Sequence, residues 1–184
     1  MRYLILLPFL LLSQPGLASE RLAEAAFARV HEQQDISLER RNQAVLTYLW
    51  ADVYAAAYYL EPDAMPARAL EQPARQRLEL YYYRNIARQD LIKAAWATLE
   101  RQLPAARFAA LRDAIDGLHA SFRDIRPGDR YALSYAPEPG LRLEINGATA
   151  FRSSDSDLAR AYLGIWLAPK GLSDELREEL LSER

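Results

Sequence analysis

Residues 131–151 read YALSYAPEPGLRLEINGATAF, and their alternation decides the fold class. Tyr131, Leu133 and Tyr135 fall on one face of an extended chain, and the stretch from Pro137 to Gly140 turns it. Leu141, Leu143 and Ile145 then alternate with Arg142 and Glu144. A period of two is what a half-buried antiparallel strand requires, because successive side chains point to opposite faces. Asn146-Gly147 is a two-residue hairpin signal, since both central residues of such a turn need a positive φ that Asn and Gly tolerate. The chain returns through Thr149 and Phe151.

On the C-terminal side, Ser154 and Asp155 can open a helix over residues 157–167, and Ser173 can start a last amphipathic helix through Leu176, Leu180 and Leu181. On the N-terminal side, Phe108, Leu111, Ile115, Leu118 and Phe122 have helical spacing over residues 105–122. An earlier helix, capped by Asn85, places Leu91, Ala95 and Leu99 with Ile92 and Trp96 on one stripe. Trp96 and Trp166 both lie on such stripes, so both are expected to be buried against the sheet. Residues 78–83, LELYYY, read as a strand. Pro62, Pro66 and Pro73 mark an irregular crossing with room for a short helical stretch over residues 67–72. Residues 46–60, LTYLWADVYAAAYYL, are apolar nearly all round: the tyrosines favour a strand, the alanines a helix, and periodicity leaves the choice open. Residues 27–31 and 36–38 alternate weakly as short strands, although 21–29 could equally begin as a helix. Strands and helices in runs, with hairpins, argue α+β with an antiparallel sheet. No repeat or low-complexity linker interrupts the chain, so one domain over residues 19–184 is expected.

The first eighteen residues read as a cleavable export signal. Arg2 supplies a positive start, residues 3–12 form an apolar run broken only by Pro8, and small residues lead to a cut between Ala18 and Ser19. The run is too short to span a bilayer, which takes roughly 20 apolar residues. The expectation is a periplasmic or secreted protein with no stable membrane anchor after cleavage. There is no cysteine, so neither a lipid anchor on a cysteine nor a disulfide is available and packing alone must hold the fold. The net charge is -2, Lys93 and Lys170 are the only lysines, and both signs are mixed along the chain. No basic block offers a nucleic-acid surface.

Chemistry-bearing patterns are scarce. There is no GxSxG, Walker loop, GxGxxG or HExxH. His31 and His119 share no motif and read as packed or solvated side chains rather than metal ligands. No catalytic residue, metal or cofactor is expected. What stands out is phenolic: Tyr48, Trp50, Tyr54, Tyr58 and Tyr59 on one segment, then Tyr81, Tyr82 and Tyr83. A phenol in an apolar pocket can donate a hydrogen bond to a ligand while its ring lines the cavity. The plainer reading is that most of these are ordinary sheet residues.

Four stretches in order carry a resemblance: VYAAAYYLE (53–61), LELYYYRNIARQDLIKAAW (78–96), DIRPGDRYALSYAPEPGLRLEINGATAF (124–151) and IWLAPKGLSDELREELL (165–181). Together they resemble the exported bacterial branch of the chalcone isomerase-like family. The resemblance implies an open-faced sandwich, a curved antiparallel sheet with helices packed on one face, and it implies that residues 46–60 are a strand. The family holds plant enzymes that close a chalcone to a flavanone and non-catalytic relatives that hold a fatty acid in the same cleft. In both, an arginine ahead of the VYAAAYYLE-like strand orients an anionic oxygen, assisted by a hydroxyl residue on that strand. Tyr54 matches the hydroxyl position, with Tyr48 beside it. An ungapped match puts Leu46 in the arginine's place, so that Arg40 or Arg41 could substitute only through a shifted register or a different loop, Arg41 being the expected ligand-binding cation. The missing cation argues for a non-catalytic protein binding a fatty acid or similar apolar small molecule. An intramolecular lyase and a structural domain with a filled cleft are the alternatives.

Overall fold

Alternation over residues 131–151 produces three strands: β5 (Arg130–Ala136), β6 (Gly140–Ile145) and β7 (Ala148–Ser153). The computed structural model describes residues 16–33, 36–72 and 74–183. The apolar run of the expected leader lies outside them, as does Pro73. Four further strands precede: β1 (Val30–Gln33), β2 (Ile36–Tyr48), β3 (Ala51–Leu60) and β4 (Gln76–Tyr82). All seven form one sheet in chain order, each antiparallel to the next. This is the expected curled antiparallel sheet with helices.

Residues 46–60 are not one strand. Tyr48 pairs with Ala51, so Leu49 and Trp50 form a two-residue turn, with φ of 46° and 63°. Neither residue is a turn former, which is why the break is invisible in the sequence. The strand before it runs the whole length of residues 36–48, far beyond the short 36–38 expected. It carries an irregularity at Arg41, where the pairing passes from Arg40↔Tyr59 to Asn42↔Tyr58. An extra residue reverses the facing of everything beyond it. Leu38 therefore joins a cluster on one face, while Ala44 joins the core on the other.

That core lies between the sheet and five helices: α2 (Arg88–Gln102), α3 (Ala105–Ala110), α4 (Arg112–Ala120), α5 (Ser156–Leu167) and α6 (Asp174–Leu181). A further α-helix, α1 (Gly16–Ala25), spans the Ala18–Ser19 junction and packs on the opposite face, with Ala25 and Phe27 against Leu38, Ala55, Ala57 and Tyr59. Asp155 caps α5 by accepting from the amides of Asp157 and Leu158 at 2.8 and 3.0 Å, and Ser173 caps α6 by accepting from Leu176 N at 3.1 Å. Asn85 does not cap α2. The amide of Arg88 instead donates to Asp124 Oδ1 at 2.8 Å, and the Arg88 guanidinium donates to the carbonyls of Phe122 and His119, both at 2.9 Å. Asn42, a polar residue facing the helices, donates to the carbonyls of Leu180 and Ser182 at 3.0 and 2.7 Å and so satisfies the end of α6. Trp96 and Trp166 are half-buried rather than buried: Trp96 packs on Phe108 and His119 with the Arg112 guanidinium over its ring, and Trp166 borders a cavity.

Candidate ligand cavity

Between the sheet and α2 and α5 lies a cavity of about 360 Å³, within the roughly 300–1,000 Å³ of small-molecule sites. The strands supply its floor: Leu46 and Tyr48 from β2, Val53 and Tyr54 from β3, Leu78, Leu80 and Tyr82 from β4, then Tyr131, Leu133 and Leu143. Leu91, Ala94 and Ala95 of α2 and Tyr162, Ile165 and Trp166 of α5 form its walls, closed by Phe122. The cleft is open, not filled by side chains.

Sheet pairing explains why these residues converge. Leu46 pairs with Tyr54, which pairs in turn with Tyr82. Leu78 and Leu80 pair with Leu133 and Tyr131, so one face of adjacent strands delivers a continuous apolar floor. A second irregularity, after Leu46, leaves Val53 without a paired residue and brings it to the cavity beside Tyr54. At the mouth lie Tyr48 and Leu172, 67% and 38% exposed, with Asp90 on the first turn of α2. Gly171 makes the approach of Leu172 to this rim feasible: a Cβ there would lie 2.6 Å from the carbonyl oxygen of Ile165.

Four phenols gather around the floor. Ring centroids of Tyr54 and Tyr82 are 5.5 Å apart and those of Tyr82 and Tyr131 are 5.7 Å apart, all edge-on. Two of the hydroxyls are committed. Tyr131 donates to the carbonyl of Arg123 at 3.2 Å, and Tyr162 shares a 3.0 Å hydrogen bond with His119 Nε2. The others are available. Trp166 Nε1 donates to the Tyr54 oxygen at 2.9 Å, leaving the Tyr54 hydroxyl proton free, and the Tyr82 hydroxyl has no hydrogen-bond partner among the described residues. Burial holds Tyr54 well above the ordinary phenol value of 10, against the opposing pull of the Trp166 donor. Burial, then the neighbouring Tyr54, Tyr131 and Tyr162, does the same for Tyr82. Both therefore remain protonated donors at any physiological pH. Burial also lowers His119 from 6.5 to about 4, so its ring is neutral.

No Arg, Lys or His side chain among the described residues lines the cavity. Arg41 lies elsewhere: its guanidinium donates to the carbonyls of Glu61, at 3.0 Å, and Pro62, beyond the far end of β3. Five residues of extended chain separate it from Leu46, roughly 16 Å at ~3.3 Å per residue. Arg40 turns to the opposite face and donates to the Phe27 carbonyl. The register does shift at Arg41, but it sends both cations away from the cleft. Tyr54 and Tyr48 do border the cavity, the first on its floor and the second at its rim. His31 packs beside Tyr59 and His119 beside Tyr162, on opposite faces of the sheet, and the two do not meet.

Tyr82, Tyr131, Tyr162 and Trp166 were not among the expected binding residues. A tyrosine one helical turn before Trp166 places Tyr162 on the same side of α5, and that spacing was the available signal. Chemically, the arrangement can surround an apolar body and offer two neutral donors to its polar end.

An antiparallel sheet backed by helices, enclosing an apolar cleft between the two layers, defines the class. Residues 19–182 match the model of the chalcone isomerase-like family, and the chain belongs to that family. Among solved structures it is similar to a fatty-acid binding protein of Arabidopsis thaliana, at 13% identity and a TM-score of 0.65, covering 84% of this chain and 90% of that one. At that identity the likeness is one of fold. No curated protein matches.

Proposed function

We propose that the protein is a non-catalytic binding protein for an apolar small molecule of the fatty-acyl kind, exported after loss of residues 1–18. The observation that carries this reading is the cavity of about 360 Å³, lined mainly by apolar side chains, with two free phenol donors inside, Asp90 at the mouth and no cation among the described residues. The fatty-acid binding name of the similar structure supports the ligand class, and the leader-like composition of residues 1–18 supports export. A carboxylate held inside with no counter-ion would be costly, so the polar end is taken up uncharged, as a carboxylic acid, alcohol or ester hydrogen-bonded by Tyr54 and Tyr82. Cyclisation of a chalcone would need its phenolate held and polarised. The phenols here donate but bring no positive charge, which places binding ahead of an isomerase.

Titration with a long-chain fatty alcohol and the matching acid at neutral pH tests the reading: the alcohol is expected to bind at least as tightly. Leu46→Arg, beside Tyr54 on the cavity floor, should reverse that order by supplying a charge-assisted partner for the carboxylate. Failure of both ligands to bind either protein would overturn the proposal, and turnover of a chalcone by the natural chain would replace it with the isomerase. The intact mass of the exported protein tests the leader, which should leave Ser19 as the first residue.

A further inference from the structure

Two hairpins in this sheet have the same two-residue turn. Between β6 and β7 it is Asn146-Gly147, with φ of 50° and 80°, the residues such a turn prefers. Between β2 and β3 it is Leu49-Trp50, which adopt the same left-handed conformation at a cost that Asn and Gly would avoid. Packing does not repay that cost, because Leu49 is 68% and Trp50 95% exposed. The tip is nonetheless braced from below. Asp52 accepts from Thr47 Oγ1 at 2.8 Å and Arg21 Nε at 3.0 Å, and its carbonyl accepts from Arg84 Nε at 3.1 Å. A rigid turn therefore holds a large aliphatic and a large aromatic side chain out in solvent.

We propose that this tip docks the protein on a lipid bilayer bearing anionic headgroups, so that the cavity exchanges its ligand with the membrane. Three observations favour that occupant. Trp and Tyr with an adjacent Leu are the side chains that settle at a membrane interface. Tyr48 belongs both to the tip and to the cavity rim, where the exposed Leu172 joins it beside Asp90, so apolar side chains lead from the turn to the mouth of the pocket. Arg84, at the base of the hairpin, and Lys170, in the loop that carries Leu172, have no ion-pair partner among the described residues and suit anionic headgroups. A second copy of the chain fits less well. A stable protein interface buries on the order of 1,000 Å² or more, whereas a two-residue point is built to penetrate rather than to abut.

The ligand exchange rests on the binding function proposed above, and the docking can be tested apart from it. Full-length mature protein is sedimented with vesicles of phosphatidylcholine alone and of phosphatidylcholine mixed with phosphatidylglycerol. Binding is expected to be stronger to the mixture, and Trp50 fluorescence should shift to the blue. Leu49→Asn combined with Trp50→Gly restores the preferred turn, so its melting temperature should equal or exceed that of the natural chain. Its partitioning should nevertheless fall at least about tenfold, the loss expected from one unburied apolar side chain. Arg84→Gln should remove part of the preference for the anionic mixture.

Absence of sedimentation with either vesicle, or unchanged partitioning of the double variant, would overturn the docking. So would a concentration-dependent dimer, lost in the double variant, in place of vesicle binding. Fatty-alcohol binding from solution separates the two proposals: vesicle docking without ligand uptake defeats the binding function alone, and uptake without docking defeats only the present inference.

Discussion

The two faces of the sheet treat polar groups in opposite ways. On β4, Leu78, Leu80 and Tyr82 face the helices, while Arg77, Glu79 and Tyr81 face away. Toward the helices the buried polar groups are uncharged, Asn42, Gln76 and His119 among them, and two of the phenols keep an unused donor. On the other face Arg77, only 8% exposed, donates to Ser134 Oγ at 3.0 Å and pairs with Glu79 and Glu144. Arg130 in turn pairs with Glu79 at 2.6 Å and lies over the rings of Tyr81 and Phe27. Here each buried charge answers another. Charges that satisfy one another build the fold, whereas donors left over beside a cavity are free to meet a ligand.

Removing a cation from the ion-paired face should break this contrast most. Arg77→Ala leaves Glu144 with only the 3.7 Å contact to Arg142 and Glu79 with only Arg130, and should cost up to about 3–5 kcal/mol in urea denaturation. Replacing Arg77 and Glu144 together by leucine should recover most of that loss. A cost below about 1 kcal/mol for the single change would mean that water reaches the pair and that the faces differ less than described.

On the helix-covered face the same logic gives smaller effects. Tyr162→Phe leaves both ring nitrogens of His119 without partners, since Nδ1 already has none among the described residues. Thermal melts should show a loss of about 1–3 kcal/mol. His119 also predicts a pH dependence. Its folded value lies below its ordinary one, so the unfolded chain takes up the proton first, and stability falls as pH drops from 6.5 toward about 4. The slope is at most one proton, about 1.4 kcal/mol per pH unit. Melting curves of His119→Gln should be flatter over that window. The smallest effect joins stability to binding: Tyr54→Phe takes the acceptor from Trp166 Nε1, which borders the cavity, so stability should fall by about 1 kcal/mol or less while fatty-alcohol binding weakens by about 0.5–1.5 kcal/mol, measured by calorimetry.

The elements legible in the sequence were those whose local chemistry and tertiary role agree. Alternation in β5 and β6, Asn146-Gly147, Asp155 and Ser173 all specify their structure without outside help. The turn at Leu49-Trp50 was hidden because its residues oppose its geometry, and β2 was foreshortened because Glu39 to Gln43 look like solvent-facing chain. Their strand character comes from pairing with β3, a tertiary effect. The residues of α3 and α4 read as one helix because nothing at Leu111, where the helix breaks, signals a stop. Tyr54 could be placed in the site by resemblance. Its partners Tyr82, Tyr131 and Tyr162 could not, since residues distant in the chain meet only through the sheet's register and the seating of α5.

Strand order following chain order has a kinetic consequence. Every neighbouring pair of strands is joined by a turn or modest loop except β4 and β5, which α2, α3 and α4 separate. The chain can thus form two local meanders, β1 to β4 and β5 to β7, before either knows of the other. Their meeting is the one long closure in the topology, and closures of that kind slow folding. Arg77 with Ser134 and Glu144, Glu79 with Arg130, and Tyr82 against Tyr131 all cross that seam. Neither the ionic face nor the cavity exists until it shuts. A chain caught earlier presents the bare edge of β4 with apolar surface beside it, so the seam is where misassembly and aggregation would compete with folding.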